Sequence, residues 1–472
     1  MCIVIRVCKE NRESAIEQVR NGNLDAAMLS TTNLIDEIIL AMHTEGILSS
    51  ISQSIPDYRA HNTTIPYDLI WAATIAAKMK VKTSLTDIPF ALTDHRTLAK
   101  LGYTLIDTKG RLKQGLMQEG SLRFLIGKYT PDVLIQGYNS AVQNQITKKL
   151  DIETNIHILD CTDLEVNYFN ANYEGAGISY SKRSPSCLEE RARGYKLATI
   201  RGLVKDTGII EEIRFGPISC HDLALSEEMI RTTPMLKPGD ILINDRGFLS
   251  RDLINHLKEN RKVDTYVPLR KHMQAYDMAV QIAKEENKWV KHPITRFPTQ
   301  RVCLVTGLGP YWGDCSSNHG PPNVDINACV VWDIETDNYY VFATTDTFKS
   351  AADILKTYNL RPEIEEDYRQ LKEFWKLEDF KSTKLKVITF HIVAVLFGYL
   401  FFQLYTMLPE GEQYLGKSLP VVLKNYIVKV QGFIVLYVGL EFGVITLLEM
   451  MKLYAMCTAE VKIKLNNTLE KL

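Results

Sequence analysis

Apolar residues recur at helical spacing through the first 150 residues. This pattern predicts three helices, which cover residues 34–44, 67–79 and 94–101. Asn33 is a good cap for the first, Pro66 suits the first turn of the second, and Gly102 suits the end of the third. We therefore predict an all-helical region over residues 1–150 and expect it to bind DNA.

The charges on the third predicted helix leave two interpretations open. In one, the short helices form a helix-turn-helix in which His95, Arg96 and Lys100 face the phosphates of DNA. In the other, the region is an ordinary helical bundle with exposed charges.

From residue 155 the pattern changes to short apolar runs separated by turn residues. These runs predict five strands, over residues 156–160, 194–204, 209–215, 241–245 and 263–269. The second and third are joined by the turn Asp206-Thr207-Gly208 and so form a hairpin. Helices are predicted after Asp222 and near residues 250–259. Strands and helices in this order predict a mixed α/β sheet, with its first part at residues 151–270.

Residues 271–345 break this rhythm. Loop-forming sequences are followed by two strand-like runs, A-C-V-V-W-D and Y-Y-V-F-A-T-T. We predict a mostly β insertion here, then a second part of the core at residues 346–410 and a helical C-terminal region at 411–472.

Residues 387–408 contain no charged side chain over 22 positions, which is long enough to cross a bilayer. A second apolar run, at residues 432–448, is interrupted only by Glu441. We favour a buried helix for the first run, because it contains His391 and Gln403 and because a large soluble protein needs an all-apolar helix in its interior. A membrane-spanning segment is the alternative.

Composition narrows the class of protein. The 472-residue chain is 46% hydrophobic and 24% charged, which is typical of a globular protein. Its net charge of -1 provides no overall attraction to nucleic acid. Nine scattered cysteines without a CxxC pair indicate reduced thiols in a cytoplasm. The irregular spacing of Cys303, Cys315 and His319 is a poor match to a structural zinc site.

One charged stretch has an unusual spacing. Tyr358, Arg361, Glu365 and Lys372 lie at offsets that a continuous helix would place within roughly 60° of one another. A solvated helix face with ion pairs four residues apart is the ordinary explanation. A stripe that binds a polyanion and a metal ion is the alternative.

Three carboxylates decide between these explanations. Asp160 and Asp245 each end a predicted buried strand, and strand ends place polar groups at the rim of an α/β sheet. Glu365 on a helix crossing that rim would add a third carboxylate, and such a set is costly unless a hard cation lies between its members. The sequence therefore predicts a Mg²⁺ site.

These residues resemble a known family. The spacing of Tyr358, Arg361, Glu365 and Lys372 is similar to the Tyr-Arg-Glu-Lys signature of bacterial insertion-sequence DDE transposases. Asp160 in I-L-D-C-T and Asp245 in I-N-D-R-G-F resemble the first two acidic positions of that family. Residues 194–196, G-Y-K, resemble its G-x-K strand, which includes Lys196. The likeness covers residues 156–382.

The resemblance implies an RNase H-like core with helices on both faces of the sheet. Asp160, Asp245 and Glu365 would be catalytic and would bind two Mg²⁺ ions, with Mn²⁺ as a substitute. Tyr358, Arg361, Lys372 and Lys196 would contact DNA. The implied reaction cuts an element at its ends and joins the 3′-hydroxyl groups to target DNA, in some members through a hairpin.

The implied partners are double-stranded DNA with terminal inverted repeats, target DNA and a second copy of the chain in a synaptic homodimer, without a membrane. The implied location is the prokaryotic cytoplasm, at the nucleoid. In hairpin-forming relatives a Trp of the insertion holds a flipped base, and Trp289, Trp312 and Trp332 are the candidates, although burial in a core is the better explanation for each.

Two departures from the family pattern and three alternatives complete the prediction. Pro362 directly follows Arg361, so the helix can begin there and leave Tyr358 on a preceding element. The chain is neutral, whereas the family is usually basic.

The alternatives are an RNase H-like nuclease without strand transfer, a catalytically silent DNA-binding protein and a membrane protein.

Overall fold

The computed structural model describes residues 6–30, 33–59, 65–92, 94–106, 115–181, 190–204, 207–312, 324–425 and 432–469. The chain forms two compact units. The first consists of Met1–Leu150 and Leu371–Leu472, and the second of Asp151–Gln370. Cys315 and His319, whose spacing is a poor match to a zinc site, lie outside the described residues, as does Asp206 of the predicted hairpin turn.

The N-terminal part of the first unit is mainly helical. Its strands are β1 (Arg6–Val7), β2 (Lys9–Glu10), β3 (Ala26–Ser30) and β4 (Tyr103–Thr104). Its helices are α1 (Arg12–Arg20), α2 (Leu34–Thr44), α3 (Ile47–Ser54), α4 (Tyr67–Met79), α5 (His95–Lys100), α6 (Glu119–Lys128), α7 (Pro131–Ser140) and α8 (Thr147–Lys149). A 3₁₀ helix covers Leu85–Phe90 and a π-helix covers Ala141–Ile146.

The capping signals place the predicted helices correctly. The Asn33 side chain accepts the Asp36 N–H at the start of α2, and the Asp94 carboxylate accepts the Thr97 N–H at the start of α5. Gly102 ends the last of these helices with a φ of +83°, which favours glycine. The expectation of an all-helical region is wrong, however, because β3 is a five-residue strand inside it.

The C-terminal part of the first unit contains α14 (Leu385–Met407), α15 (Leu419–Asn425), β15 (Phe433–Val438), β16 (Glu441–Thr446), α16 (Leu447–Met456) and α17 (Ala459–Leu469), with a 3₁₀ helix at Glu412–Tyr414. The predicted helical C-terminal region is therefore wrong in part. Gly439 has a φ of +61° and turns the second apolar run into the hairpin of β15 and β16, whose outer edges pair with β3 and β2.

Helix α14 forms the centre of this unit. It is long and apolar enough to cross a membrane by length and composition, but 89% of its most apolar window is buried. It packs against α2, α4, α6 and α7. The prediction of a buried interior helix is confirmed.

The charged residues of α5 are engaged within the same unit. The Arg96 guanidinium lies 4.0 Å from the centre of the Phe433 ring, and Lys100 forms an ion pair with Glu10. Burial lowers the pKa of His95. This arrangement agrees better with a helical bundle than with a helix-turn-helix whose cations face DNA.

The second unit contains the mixed sheet. Its strands are β5 (Ile156–Val166), β6 (Gly177–Ser181), β7 (Glu190–Val204), β8 (Thr207–Pro217), β9 (Ile241–Asn244), β10 (Asp264–Pro268), β11 (Val290–Lys291), β12 (Gln300–Val305), β13 (Asn327–Asp333) and β14 (Asn338–Thr344). Its helices are α9 (Asp222–Thr232), α10 (Arg251–His256), α11 (Gln274–Glu286), α12 (Ala351–Tyr358) and α13 (Pro362–Glu373), the last of which extends into the first unit. Single turns of 3₁₀ helix cover Arg246–Phe248 and Gly309–Tyr311, and a π-helix covers Leu257–Arg261.

The strand order supports the predicted fold class. Strands β7 and β8 form the expected antiparallel hairpin, β7 pairs with β5, and β5, β9 and β10 lie side by side in parallel. Helices α9 and α10 pack on the face that carries Leu159 and Leu242, whereas α13 bonds to Thr199 and Arg201 on the opposite face. A mixed sheet covered on both faces is consistent with an RNase H-like core.

The predicted β insertion at residues 271–345 needs correction. The segment begins with the 13-residue helix α11, and its strand β14 pairs with β10. Strands β14, β13 and β12 therefore extend the core sheet as an antiparallel meander. The local pattern identified the strands but could not identify their partners, because pairing depends on contacts distant in sequence.

Candidate active site

Asp160 and Asp245 lie at the same level of two neighbouring parallel strands, β5 and β9. Leu159 of β5 lies opposite Asn244 of β9, and both aspartates come directly after this pair. Asp160 does not end its strand as predicted, since β5 continues to Val166 against β7. Asp160 lies instead directly after the last residue of β5 that pairs with β9. Its side chain is therefore at the rim of the sheet.

A second aspartate, Asp163, lies on the same strand β5. It lies three residues beyond Asp160, so the alternation of a strand turns it to the other face. Its carboxylate is 3.8 Å from the Lys196 Nζ. The geometry therefore separates Asp163 from the edge shared by Asp160 and Asp245.

The stretch from Tyr358 to Lys372 is divided between two helices. Tyr358 is the last residue of α12, Arg361 lies in the connecting turn and Pro362 begins α13. Proline fits the first turn of a helix because it lacks an N–H group that a helix interior would use. The expectation of one continuous helix that carries all four residues is therefore wrong, whereas the predicted helix start at Pro362 is correct. Glu365 lies in the first turn of α13.

Arg361 joins two of the three carboxylates. Its Nη2 lies 2.9 Å from Asp160 Oδ2, and its Nη1 lies 2.6 Å from Glu365 Oε1. The second contact is the ion pair four residues apart that an ordinary charged helix would contain. The first contact joins residues that are 201 positions apart in the chain, so it is not a contact within one charged helix. It connects the turn before α13 to the edge of the sheet.

The charges of this cluster influence one another. The pKa of Asp160 is raised to about 6, chiefly by burial and also by the charges of Asp245 and Glu365, while Arg361 and the Cys161 N–H oppose the rise. Burial would lower the pKa of Arg361, but the negative charges of Asp160, Asp245 and Glu365 keep it above its usual value. Two carboxylates from the sheet edge and one from α13 thus lie within electrostatic range of one guanidinium.

Tyr358 belongs to the same neighbourhood. Its ring packs 4.8 Å from that of Phe342, centre to centre, and burial raises the pKa of its hydroxyl group. The charges of Arg361, Asp245 and Asp160 also act on it. Tyr358 therefore remains part of the site although it lies on α12.

The donor set fits a hard divalent cation in chemistry. Asp160, Asp245 and Glu365 offer carboxylate oxygens, the ligands that Mg²⁺ prefers. Within the described part of the chain, however, no three Asp, Glu, His or Cys side chains are close enough together to hold a metal ion. The Arg361 guanidinium bonds to both Asp160 and Glu365 and supplies positive charge beside them.

Two of the predicted DNA contacts, Lys196 and Lys372, form ion pairs with other carboxylates. Lys196 lies opposite Asp163 on β7, an odd number of residues from Thr199, and therefore on the other face from Asp160. Its Nζ is 2.5 Å from Asp222 Oδ1. Lys372 lies in the last turn of α13, where its Nζ is 2.9 Å from Glu378 Oε1. Both lysines are thus held by neighbouring carboxylates.

A cavity adjoins the cluster on the side of Tyr358 and Arg361. Its volume is about 270 Å³, and its walls include the side chains of Phe297, Tyr340 and Phe342. Aromatic walls beside a guanidinium suit a flat, polar ring or an aromatic base.

The three candidate tryptophans differ in burial. Trp312 is 2% exposed, as a core residue would be. Trp289 and Trp332 are partly buried, with ring centres 5.4 Å apart, and Trp332 stacks on Tyr339. None of the three is among the residues that line the cavity beside Tyr358.

Sequence reasoning missed the residues that fasten α13 to the sheet. Ile364 and Tyr368 lie four residues apart on α13, and both are buried. The Tyr368 hydroxyl group contacts the Asp160 carbonyl, and Arg201 of β7 bonds to Glu363 and Asp367. The spacing was visible in the sequence, but the partners on the sheet were not.

A family model described as a transposase DDE domain matches residues 158–401, slightly more than half of the chain. The match includes Asp160, Asp245 and Glu365. The chain belongs to the DDE transposase family. The sequence has no significant match among individual curated proteins. Membership of this family implies a DNA substrate, and the predicted resemblance to an insertion-sequence DDE transposase is confirmed at the level of the family.

Proposed function

We propose that this chain is a Mg²⁺-dependent DNA transposase that cuts the ends of an insertion sequence and joins the 3′-hydroxyl groups to target DNA. The observation that carries the proposal is the placement of Asp160 and Asp245 directly after paired residues of neighbouring parallel strands, with Arg361 bonded to both Asp160 and Glu365. The family match independently supports a transposase function.

Asp160, Asp245 and Glu365 would hold the metal. Two bound Mg²⁺ ions supply the usual chemistry of phosphodiester exchange, activation of the attacking oxygen and stabilisation of the leaving oxygen. Asp160 is oriented for this role by the Cys161 N–H, which donates to its Oδ1 at 2.8 Å. Glu365 is the most accessible member, with 55% of its side chain exposed.

Arg361 would have two roles. Between Asp160 and Glu365 it balances charges that would otherwise repel one another. A metal ion competes for the same carboxylate oxygens, so metal binding would release the guanidinium to a phosphate of the DNA. Tyr358, on the wall of the neighbouring cavity, would contact the same strand.

The proposed partners are DNA with terminal inverted repeats, target DNA and a second copy of the chain. A net charge of -1 gives little long-range attraction to DNA, so binding would rest on local contacts. We therefore propose that specific end contacts, rather than bulk charge, recruit the chain to DNA in the cytoplasm.

The test is a cleavage assay on linear DNA that contains the coding sequence and its genomic flanks. With Mg²⁺ and a plasmid target, wild type should produce cut ends and joined products, and Asp245→Asn should lose at least about 100-fold in rate. Asp252→Asn is the matched control, because Asp252 is an 80% exposed aspartate seven residues further along that pairs only with Arg231 among the described ion pairs. Equal cleavage by wild type and Asp245→Asn would refute the metal site, and cleavage without joining would indicate a nuclease.

A further inference from the structure

The position of Glu365 depends on its neighbours on α13 rather than on its own packing. More than half of its side chain is exposed, and its described hydrogen bond is to Arg361 in the preceding turn. Side chains before and after it are instead bonded to the sheet. These bonds determine where the first turn of α13 lies relative to Asp160.

Tyr368 makes the most direct of these bonds. Its side chain is 6% exposed, and its hydroxyl group donates to the backbone carbonyl of Asp160 at 2.8 Å. The same hydroxyl group lies 2.6 Å from Thr199 Oγ1. Asp160 and Thr199 are cross-strand partners on β5 and β7. One phenol therefore links the helix that carries Glu365 to the residue that carries the first carboxylate.

Arg201 holds the same helix at a second point. It is 5% exposed, and its Nε and Nη1 donate to Asp367 Oδ2 at 2.6 Å and to Glu363 Oε2 at 2.8 Å. The guanidinium packs against Gly208. A side chain at that position would clash with it, because a Cβ atom would lie 2.4 Å from Arg201 Cζ. Positions 363, 367 and 368 are thus fixed on either side of Glu365.

We propose that Tyr368 is a positioning residue of the active site, which sets the spacing between Asp160 and Glu365 through the Asp160 carbonyl. The inference rests on the proposed function, because it concerns how the same carboxylates are held for a metal ion. Removing the hydroxyl group would leave the ring packed and the Arg201 bonds in place, but it would remove the direct link between α13 and the backbone of Asp160. A looser carboxylate set binds a divalent ion more weakly.

The variant Tyr368→Phe tests this inference. We expect its affinity for Mn²⁺, measured on the protein without DNA from the electron paramagnetic resonance of the free ion, to fall about 10-fold. The Mg²⁺ concentration for half-maximal cleavage should rise by a similar factor. DNA binding in Ca²⁺ should stay unchanged, because the hydroxyl group is buried.

Two matched variants separate positioning from packing. Tyr276→Phe removes an equivalent bond, a buried hydroxyl group that donates to the Tyr339 carbonyl at 2.8 Å, on α11. Thr199→Val removes the other partner of Tyr368 and leaves its bond to Asp160. Both should retain wild-type Mn²⁺ affinity.

The outcomes distinguish this inference from the proposed function. If wild type binds Mn²⁺ and cleaves DNA but Tyr368→Phe has the same affinity, the positioning role is refuted while the function stands. An equal loss in Thr199→Val would also refute it, since the effect would then come from general packing of α13. If wild type itself neither binds Mn²⁺ nor cleaves, the proposed function fails.

Discussion

Strand β5 carries two polar clusters that differ in how completely they are satisfied. At His157, Nδ1 lies 2.7 Å from Glu211 Oε2 and Nε2 lies 3.3 Å from Asp240 Oδ2, and none of the three side chains is more than 8% exposed. Three residues further on, Asp160 belongs to a cluster that reaches the surface through Glu365. One strand thus contributes to two kinds of cluster. We call the buried set of His157, Glu211 and Asp240 the closed cluster. We call the surface-reaching set of Asp160, Arg361 and Glu365 the open cluster.

The open cluster also contains a hydrogen-bond donor without an acceptor among the described residues. The Nε of Arg361 is buried without a hydrogen-bond partner among the described residues. In the closed cluster Glu211 Oε1 has a further partner, the Thr154 hydroxyl group at 2.6 Å, and the Lys237 N–H donates to Asp240 Oδ2 at 2.6 Å. Buried charges that are fully paired serve structure, whereas accessible charges that are partly paired can take a ligand.

The largest expected effect is on stability, from the closed cluster. His157→Leu keeps the side-chain volume similar but removes the cation between two buried carboxylates, so urea unfolding should show a loss of about 3–5 kcal/mol. The exposed His272 provides the control. Its φ of +72° suits asparagine, and His272→Asn should change the free energy of unfolding by less than about 0.5 kcal/mol. A comparable loss in both variants would remove the distinction between the clusters.

A pH series sharpens the same comparison. Burial alone would lower the pKa of His157, but the Glu211 charge and the bonds to Asp240 and Glu211 raise it to about 9. Because the folded pKa lies above the unfolded value of about 6.5, the stabilisation is complete below pH 6.5 and is lost as the pH rises through about 9. The contribution is on the order of 3 kcal/mol, since one pKa unit corresponds to about 1.4 kcal/mol.

The measurement is the difference in unfolding free energy between wild type and His157→Leu at a series of pH values. That difference should be largest near pH 6, shrink as the pH rises from about 6.5 to about 9, and reach its minimum above pH 9. A difference that stays constant from pH 6 to pH 10 would show that His157 does not act as a cation in the folded protein.

The local pattern was sufficient for elements whose signals are local. The cap at Asn33, the hairpin of β7 and β8 and the short strand before Asp245 follow from spacing and turn residues alone. The shared edge of Asp160 and Asp245 required one further assumption, that β5 and β9 are neighbours, which the structure supports.

Pairing between distant segments could not be predicted in this way. Strand β3 pairs with β15, where Ser30 lies opposite Phe433, and neither segment signals its partner. The same holds for β14 against β10 and for Arg201 against Asp367. Residue spacing places Tyr358 and Glu365 on one face of a single helix. Spacing alone does not show that the chain turns between Tyr358 and Pro362.

The variant that tests the central claim most directly is expected to change stability little. Asp160→Asn keeps the shape of the side chain and its position beside Arg361, so the free energy of unfolding should stay within about 1 kcal/mol of wild type. Cleavage of DNA carrying the element ends should nevertheless fall at least about 100-fold in Mg²⁺. Wild-type cleavage by a stably folded Asp160→Asn protein would contradict the assignment of this cluster as the active site.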